Sequence, residues 1–254
     1  MLLAVDVGNT QIAAGLFESS ELKAHWRIAT RSDQTGDELA VIFSELLGLA
    51  DCDFRSIDGV IIASVVPSLT ASFIEMADKA IGVKPVVVGP GVKTGMPILY
   101  DNPHEVGADR IVNAVAGYQK YGGPIIIVDF GTATTFDAVS ARGEYLGGAI
   151  APGVLVSAEA LFTRAARLSR IGLERPPSAI GKNTAESLQS GIVLGSAGMV
   201  DGLVERISSE MGGAKEVIAT GGLAETVIRD CKSITKLEPH LTLYGLRGVF
   251  EMNY

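Results

Sequence analysis

The 254-residue sequence has little of several residue types on which common functions depend. Its two cysteines, Cys52 and Cys231, lie far apart and without CxxC spacing, so we expect no disulfide framework and a reduced, cytoplasmic location. Its three histidines are scattered and lack the spacing of a zinc site. A formal net charge of -8 argues against a nucleic-acid partner, because affinity for the phosphate backbone comes from Lys and Arg.

Long apolar runs and several well-known motifs are also missing. The strings GVIIASVV and PIIIVDFG are far shorter than the roughly 20 residues of a membrane-spanning helix, so they indicate buried strands and we expect no membrane association. The first residues do not have the pattern of a signal peptide. The motifs GxxxxGK[ST], GxGxxG and GxSxG do not occur. A phosphate site must therefore be built in another way, and a serine hydrolase has no support.

The hydrophobic pattern of the first half alternates between strands and helices. The runs LLAVDVG, QIAAGLFE and ELKAHWRIAT predict three consecutive strands, and residues 36–48 carry a helical stripe of leucines and Phe43. Two further predicted strands, GVIIASVV and KPVVVG, flank a predicted helix in SLTASFIEMADKAIG. The segment DNPHEVGADRIVNAVAGYQKYGG predicts a helix that begins either after an Asn102 cap or later, near Gly107. This alternation indicates an α/β fold.

The second half of the chain begins the same pattern again. LAVDVGNT aligns with IIVDFGTA, so that Asp6 matches Asp129 and Gly8 matches Gly131. A duplicated lobe explains this, and a chance match between two apolar strands is the alternative. Predicted helices in VLVSAEALFTRAARL and over 185–211 follow, and then a strand, a Gly-Gly turn and a helix in KEVIATGGLAETVIRD. We expect two domains, 1–118 and 119–254, without a linker.

Each Asp-x-Gly turn has the chemistry of a phosphate-binding loop. Glycine lets backbone N–H groups approach phosphate oxygens, the hydroxyls of Thr10, Thr132 and Thr134 can donate, and the aspartate can hold Mg²⁺. Either turn alone is better explained by an aspartate that caps its own backbone, but the pair favours function. The TGG turn at 220–222 leaves room for a third contact with a ligand, or it is simply a compact connection.

The segments DVGNT, DNPHEVGADR, DFGTATT, GGAIAPG, GKNT and TGG occur in this order along the chain. Together they resemble the phosphate and adenosine motifs of the acetate-kinase, sugar-kinase, heat-shock-protein and actin superfamily, and within it the type III pantothenate kinase family. The resemblance covers essentially the whole chain. It implies two duplicated ribonuclease-H-like lobes, the actin-like ATPase/kinase architecture, around a central cleft. It also implies ATP-dependent phosphorylation of the primary hydroxyl of pantothenate to 4'-phosphopantothenate, the first step of coenzyme A synthesis.

The resemblance also assigns roles to individual residues. It makes Asp109 the catalytic base, Asp6 the acid of the Mg²⁺ region, and Asp129 the ligand of a monovalent cation, K⁺ or NH₄⁺. The implied pantothenate site consists of Tyr100, Gly107, Ala108, Arg110 and Thr184, and the implied ATP site of Asp6, Val7, Gly8, Asn9, Thr10, Gln11 and Thr132.

Each of these roles has a structural alternative on the residues alone. On its own, Asp109 is typical of a helix surface, Tyr100 of a half-buried aromatic at a strand end, and Thr184 of a helix N-cap. Arg110 has a chemical argument in its favour, because a guanidinium can bind the carboxylate of pantothenate through two parallel hydrogen bonds.

The same resemblance implies a homodimer and leaves other functions open. It extends to regulatory accessory proteins that bind nucleotides, and a sugar or acetate kinase is a further alternative. The presence of Asp6, Asp109, Arg110 and Asp129 favours the enzyme, because a retired active site would be free to lose them. The short chain argues against the sugar and acetate kinases, which need insertions for their substrates.

Overall fold

The computed structural model describes residues 1–164 and 171–254. In this part of the chain the strands are β1 (Leu2–Val7), β2 (Gln11–Glu18), β3 (Glu21–Ala29), β4 (Gly59–Ser64), β5 (Val86–Val87), β6 (Ile125–Phe130), β7 (Ala133–Val139), β8 (Tyr145–Pro152), β9 (Glu216–Thr220) and β10 (Lys236–Leu237). The α-helices are α1 (Gly36–Gly48), α2 (Pro67–Met76), α3 (Ala108–Tyr121), α4 (Val154–Arg164), α5 (Thr184–Gln189), α6 (Gly195–Glu210), α7 (Ala224–Val227) and α8 (Leu241–Glu251).

The chain divides into two compact units that are not continuous in sequence. The first contains Met1–Gly95, Asp101–Ala116 and Thr242–Tyr254, and the second contains Met96–Tyr100 and Gly117–Leu241. Helix α3 begins in the first unit and ends in the second, while nearly all of α8 belongs to the first. The division into domains 1–118 and 119–254 stays a prediction.

The first unit is a five-stranded mixed sheet in the order β3-β2-β1-β4-β5. Strand β1 pairs antiparallel with β2 and parallel with β4, which places it at the centre. Its odd residues Leu3, Val5 and Val7 are fully buried in a core shared with α1 and α2. Helix α1 begins at a capping box in which Thr35 Oγ1 accepts from the Glu38 N–H and the Glu38 carboxylate accepts from the Thr35 N–H.

The second unit repeats this sheet strand for strand. Its order is β8-β7-β6-β9-β10, with β6 antiparallel to β7 and parallel to β9. Strands β1 and β6 have the same burial pattern, in which every residue is buried except the half-buried fifth one, Asp6 or Asp129. The prediction of a duplicated α/β unit is therefore confirmed, because a chance match would not reproduce the topology as well as the motif.

Two helix predictions are refined by the structure. The earlier of the two proposed starts of α3 is wrong: Asn102 caps only the short 3₁₀ turn Pro103–Glu105, and the α-helix begins at Ala108. The predicted helix in VLVSAEALFTRAARL is helical over Val154–Arg164, and its last residues lie outside the described part of the chain.

Candidate active site

The loop between β1 and β2 forms a closed turn at the end of the central strand. The N–H of Gly8 donates to the Gln11 carbonyl at 3.1 Å, and Thr30 closes the turn by donating its hydroxyl to the Gly8 carbonyl at 2.7 Å. Asn9, Thr10 and Gln11 are exposed. The side chain of Val7, in contrast, is fully buried in the core, so only its backbone is available to a nucleotide. The predicted ATP residues of this loop thus form one compact structure.

Asp6 lies on the opposite face of the sheet from the core residues of β1. Side chains alternate along a strand, so Asp6 shares its face with Ala4, and Ala4 pairs with Gly15 of β2. A Cβ atom on Gly15 would lie 2.9 Å from Leu243 of α8. Asp6 therefore lies on the side of the sheet that carries α8, and α8 in turn contacts α3 through Gly245 and Val112.

The predicted base, Asp109, lies in the first turn of α3. Its Oδ1 atom accepts a hydrogen bond from the backbone N–H of Arg110 at 2.9 Å, and the side chain is half-buried. Gly107 leaves the space that this carboxylate occupies, since a Cβ atom there would overlap Oδ1. The first turn of a helix favours a negative charge, because its free N–H groups carry a partial positive charge. A carboxylate held here with one oxygen on the backbone can direct its other oxygen to a ligand.

Arg110 and Ala108 flank the base candidate. Arg110 is 7% exposed, which is unusual for arginine, because charged side chains are rarely buried unless they are paired with other polar groups. Ala108 is half-buried and adds only a methyl group. Gly107, Ala108, Asp109 and Arg110 thus lie next to one another at the start of α3, and their roles at a substrate site stay a prediction.

In the second unit the structure joins two motifs whose paired residues, Asp129 and Thr220, are 91 positions apart in sequence. Thr220, the last residue of β9, pairs with Asp129 of β6, and a Cβ atom on Gly221 would overlap Asp129 Oδ1 and the Phe130 N–H group. Gly221 has a φ of +95°, a left-handed conformation that glycine adopts without strain. The TGG turn and the second Asp-x-Gly turn therefore form one site.

Thr132 and Gly131 form the exposed tip of this second turn. The Gly131 N–H donates to the Ala133 carbonyl at 3.1 Å, and the Thr132 carbonyl accepts from the Gly153 N–H at 3.1 Å. Gly153 immediately precedes α4, so the first turn of this helix lies beside the loop. Thr134, the other threonine of the motif, is fully buried, and its hydroxyl is therefore less accessible to a nucleotide than that of Thr132.

The remaining predicted pantothenate residues, Tyr100 and Thr184, both belong to the second unit. The Tyr100 ring lies 6.4 Å from the Tyr145 ring and against Gly147, with 3.4 Å from its Cε2 atom to a Cβ position on that glycine. Thr184 is exposed at the first position of α5. Its alternative role as the N-cap is wrong, because Asn183 is the cap and its side chain accepts from the Glu186 N–H at 2.9 Å.

One pair that the sequence analysis missed supports Tyr100. The hydroxyl of Tyr145 donates to Asp137 Oδ1 at 2.8 Å, and both side chains are fully buried. No motif signals this pair, because the two residues lie on neighbouring strands and their meeting depends on the register of β7 and β8. Alternation along the two strands would have placed them on a common face, but not in contact.

A cavity of about 470 Å³ lies beside α5 in the second unit. Its lining combines hydroxyls and apolar groups from α4, α5, α6 and the π-helical turn Ser190–Leu194 between the last two: Ser157, Leu161, Ser187, Leu188, Ile192, Ser196 and Met199, among others. Ser187 is three residues after Thr184 and so lies one helical turn from it. The volume is within the range of small-molecule pockets, which are about 300–1,000 Å³.

No preformed metal cage accompanies these motifs in residues 1–164 and 171–254. There, no group of three or more His, Cys, Asp or Glu side chains has the geometry to hold a metal ion. Any divalent cation would therefore bind through one carboxylate, water and ligand phosphates, which is the usual arrangement for Mg²⁺ in phosphotransfer enzymes. Within the same ranges, no helix is both long and apolar enough to cross a membrane.

Two matching five-stranded sheets, each with an Asp-x-Gly turn at the end of its central strand, define a protein of the duplicated actin-like α/β fold. Solved structures agree with this fold. A Baf family transcriptional activator of Campylobacter jejuni aligns with a TM-score of 0.64 at 18% identity, covering 99% of this chain and 98% of that one. Component A of (R)-2-hydroxyglutaryl-CoA dehydratase from Acidaminococcus fermentans aligns with a TM-score of 0.57 at 16% identity, covering 98% and 95%.

Sequence comparison identifies the family. The type III pantothenate kinase profile matches residues 2–206. The type III pantothenate kinase of Moorella thermoacetica is 55% identical over 253 residues, which cover 100% of both chains, and that of Koribacter versatilis is 51% identical over 263 positions, covering 100% of this chain and 96% of its own. The chain belongs to the type III pantothenate kinase family, and the family predicted from the sequence is confirmed.

Proposed function

We propose that this chain transfers the γ-phosphoryl group of ATP to the primary hydroxyl of pantothenate, which gives 4'-phosphopantothenate in the first step of coenzyme A synthesis. The observation that carries the proposal is the placement of Asp109. Its half-buried carboxylate accepts a hydrogen bond from the Arg110 N–H and occupies the space that Gly107 leaves free. The chain that carries it belongs to the type III pantothenate kinase family. A positioned carboxylate is what the acceptor hydroxyl needs.

Asp109 orients the hydroxyl of pantothenate and accepts its proton as the bond to phosphorus forms. Phosphoryl transfer demands an attacking oxygen in line with the leaving oxygen, and an aspartate base serves this purpose in other kinases. The hydrogen bond to the Arg110 N–H fixes one carboxylate oxygen, so the other can face the hydroxyl. The guanidinium of Arg110 binds the carboxylate of pantothenate through two parallel hydrogen bonds.

The Asp-x-Gly turn of each unit has the chemistry to bind phosphate oxygens of ATP. Gly8 and Gly131 allow close approach to the backbone, and the exposed hydroxyls of Thr10 and Thr132 are available as donors. Gly221 of the TGG turn packs on Asp129, so the TGG segment lies next to the second Asp-x-Gly turn.

Mg²⁺ and a monovalent cation complete the proposed site. Asp6 fits Mg²⁺, because it is a half-buried carboxylate at the start of an exposed polar loop, and Mg²⁺ uses one or two carboxylates together with phosphates. Asp129 fits K⁺ or NH₄⁺, because its carboxylate is enclosed by the Gly221 turn and the second phosphate loop. Each cation offsets the charge of the aspartate that holds it, because that carboxylate would otherwise repel the phosphates of ATP.

The chain acts as a homodimer through β8 and α4 in this proposal. Strand β8 is an edge of the second sheet, and large apolar side chains are exposed on it and on the following helix: Leu146, Ile150, Leu155, Val156 and Leu161. Such a concentration of exposed apolar surface is typical of a protein interface. Thr184 of one subunit is proposed to complete the pantothenate site of its partner.

The decisive experiment measures ADP release by the purified protein with ATP and pantothenate, sugars or acetate. We expect turnover with pantothenate and none with the sugars or acetate. In the Asp109→Asn variant, turnover should fall by about 10²- to 10⁴-fold, the usual contribution of general base catalysis. Asp101→Asn, an exposed acid in the same unit, is the control and retains activity. ATP binding without turnover would favour the regulatory alternative, and full activity in Asp109→Asn would refute the role of Asp109.

A further inference from the structure

Helix α8 is held firmly against the sheet of the first unit by its contacts with glycines. A Cβ atom on Gly59 of β4 would overlap the Phe250 ring, and one on Gly15 of β2 would crowd Leu243 at 2.9 Å. The Phe17 ring of β2 meets Tyr244 edge-on, with 5.5 Å between ring centroids. Glycines on the sheet thus allow α8 to approach closely, so its position is set by packing.

The residues that follow α8 fix its other end. The Asn253 side chain forms two hydrogen bonds with the backbone of Lys93: its Oδ1 accepts from the N–H at 2.9 Å, and its Nδ2 donates to the carbonyl at 2.8 Å. The Tyr254 hydroxyl donates to the Asp58 carbonyl at 3.2 Å. The helix is therefore attached to the unit along its whole length, which qualifies it to serve as a fixed support.

Helix α8 makes two specific contacts with α3. A Cβ atom on Gly245 would overlap the Val112 carbonyl, so the backbones of the two helices touch at this point. One turn earlier on α8, the Thr242 hydroxyl donates to Asn113 Oδ1 at 2.7 Å. The Asn113 side chain is 1% exposed, so this hydrogen bond is shielded from competing water.

These contacts lie next to the predicted base. Asn113 is four residues after Asp109 and three after Arg110, so all three lie on neighbouring turns of one helix face. An α-helix moves as a rigid element over such a distance. A displacement of α3 at Asn113 is consequently passed on to the carboxylate of Asp109, whose placement matters at the level of about 1 Å.

We propose that Thr242 is a positioning residue for the phosphoryl transfer: its hydrogen bond to Asn113 sets the place of α3, and thereby of Asp109, from the fixed helix α8. The inference rests on the proposed function of Asp109 as the base. Thr242 does not touch the substrate in this proposal, so its loss affects the chemical step and leaves ATP binding intact.

The test compares Thr242→Val, which keeps the shape and removes the hydroxyl, with Thr242→Ser, which keeps the hydroxyl. Thr70→Val is the matched control, because Thr70 is in the same unit and its hydroxyl donates to the carbonyl of Val66, the N-cap of α2, at 3.2 Å, a hydrogen bond that does not involve α3. We expect Thr242→Val to lower kcat about tenfold with KM for ATP within about twofold of wild type, a loss that corresponds to one well-placed interaction. Thr242→Ser and Thr70→Val retain at least about half of the wild-type kcat.

Two results would overturn the positioning role. In the first, Thr242→Val has the same kcat as Thr70→Val. In the second, Thr242→Val has a raised KM for ATP and an unchanged kcat. Thermal unfolding of each variant identifies a loss that follows stability alone, and a kcat that follows Tm across all three variants also contradicts the proposal. Asp109→Asn, measured alongside, separates the two hypotheses. A fully active Asp109→Asn refutes the base, whereas an inactive one beside a normal Thr242→Val refutes only the positioning role.

Discussion

The Oδ1 atom of Asp109 occupies the space into which a side chain on Gly107 would extend. The glycine is therefore needed for room, since its backbone does not adopt a left-handed conformation. We expect Gly107→Ala to displace the carboxylate and to lower kcat by about 100-fold, the effect of a misplacement near 1 Å. Steady-state kinetics check this, with Gly48→Ala as the control, because no atom lies within 4 Å of a Cβ there. Wild-type kcat in Gly107→Ala would contradict the proposed geometry.

Cation dependence tests the role of Asp129. If a monovalent cation beside this carboxylate offsets the charge of the triphosphate, replacing K⁺ by Na⁺ or tetramethylammonium at constant ionic strength lowers turnover at least about tenfold. Asp129→Asn removes the charged ligand, so its turnover should differ much less between the three salts than that of the wild type. Equal activity of the wild type in all three salts would show that no such cation is needed.

The contact between Gly221 and Asp129 predicts a loss of both stability and nucleotide binding in Gly221→Ala. The methyl group would overlap Asp129 Oδ1, and alanine is strained at a φ of +95°. Backbone strain of this kind costs about 1–3 kcal/mol, which lowers Tm by roughly 2–4 °C per kcal/mol in a chain of this size. Calorimetry and ATP titration measure the two effects.

Gly198→Ala is the control in the same unit, because its Cβ meets no atom within 4 Å in α6, and it should be neutral or slightly stabilising. If Gly221→Ala had the same Tm and the same affinity for ATP as Gly198→Ala, the proposed close contact between the TGG turn and Asp129 would be refuted.

Glu238 makes stability depend on acid pH. Burial acts to raise the pKa of its carboxyl, but hydrogen bonds from Lys120 and Tyr121 hold this pKa below the ordinary value of 4.5. A carboxyl with a lower pKa in the folded state stabilises the protein above pH 4.5, and this contribution is lost as the pH falls through the folded-state value.

Glu238→Gln should therefore lower the free energy of unfolding by about 1 kcal/mol at neutral pH. Below pH 4.5, the stability of this variant should fall less steeply than that of the wild type. Urea unfolding at several pH values measures this, with Glu205→Gln, an exposed glutamate on α6, as the control. An unchanged pH profile in Glu238→Gln would argue against the stabilising role of this carboxylate.

The exposed side chain of Ile150 predicts where the dimer forms. It is 66% exposed on the edge strand β8, and a charge there would be buried in the proposed interface. We expect Ile150→Asp to halve the mass measured by light scattering at about micromolar concentration, because an unpaired buried charge costs several kcal/mol. Val41→Asp, on a 65% exposed residue of α1, should keep the wild-type mass. A dimeric Ile150→Asp, or a monomeric wild type, would refute this interface.

Local patterns were sufficient for much of the fold, and the motifs selected the residues of the candidate site, whose roles stay a prediction. The continuous apolar runs of β1 and β6 predicted two buried strands, and the shared spacing of Asp6-Gly8 and Asp129-Gly131 predicted the repeat that the two sheet orders confirm. The start of α3 was left open because Asn102 is a good cap, and the structure assigns that cap to a 3₁₀ turn. Thr184 and Asn183 are both capping residues by type, so only backbone geometry distinguished them.

By itself the sequence determined the order of the strands and helices, the duplication, the family and the residues expected at the site, because these depend on patterns among near neighbours or on whole motifs. Only the tertiary structure decided that Gly107 makes room for Asp109, that Gly221 packs on Asp129, and that Thr242 of the last helix bonds to Asn113 beside the base. The last two contacts join residues 92 and 129 positions apart in sequence. They exist because packing of the sheets and helices brings distant segments within bonding distance, which no local pattern encodes.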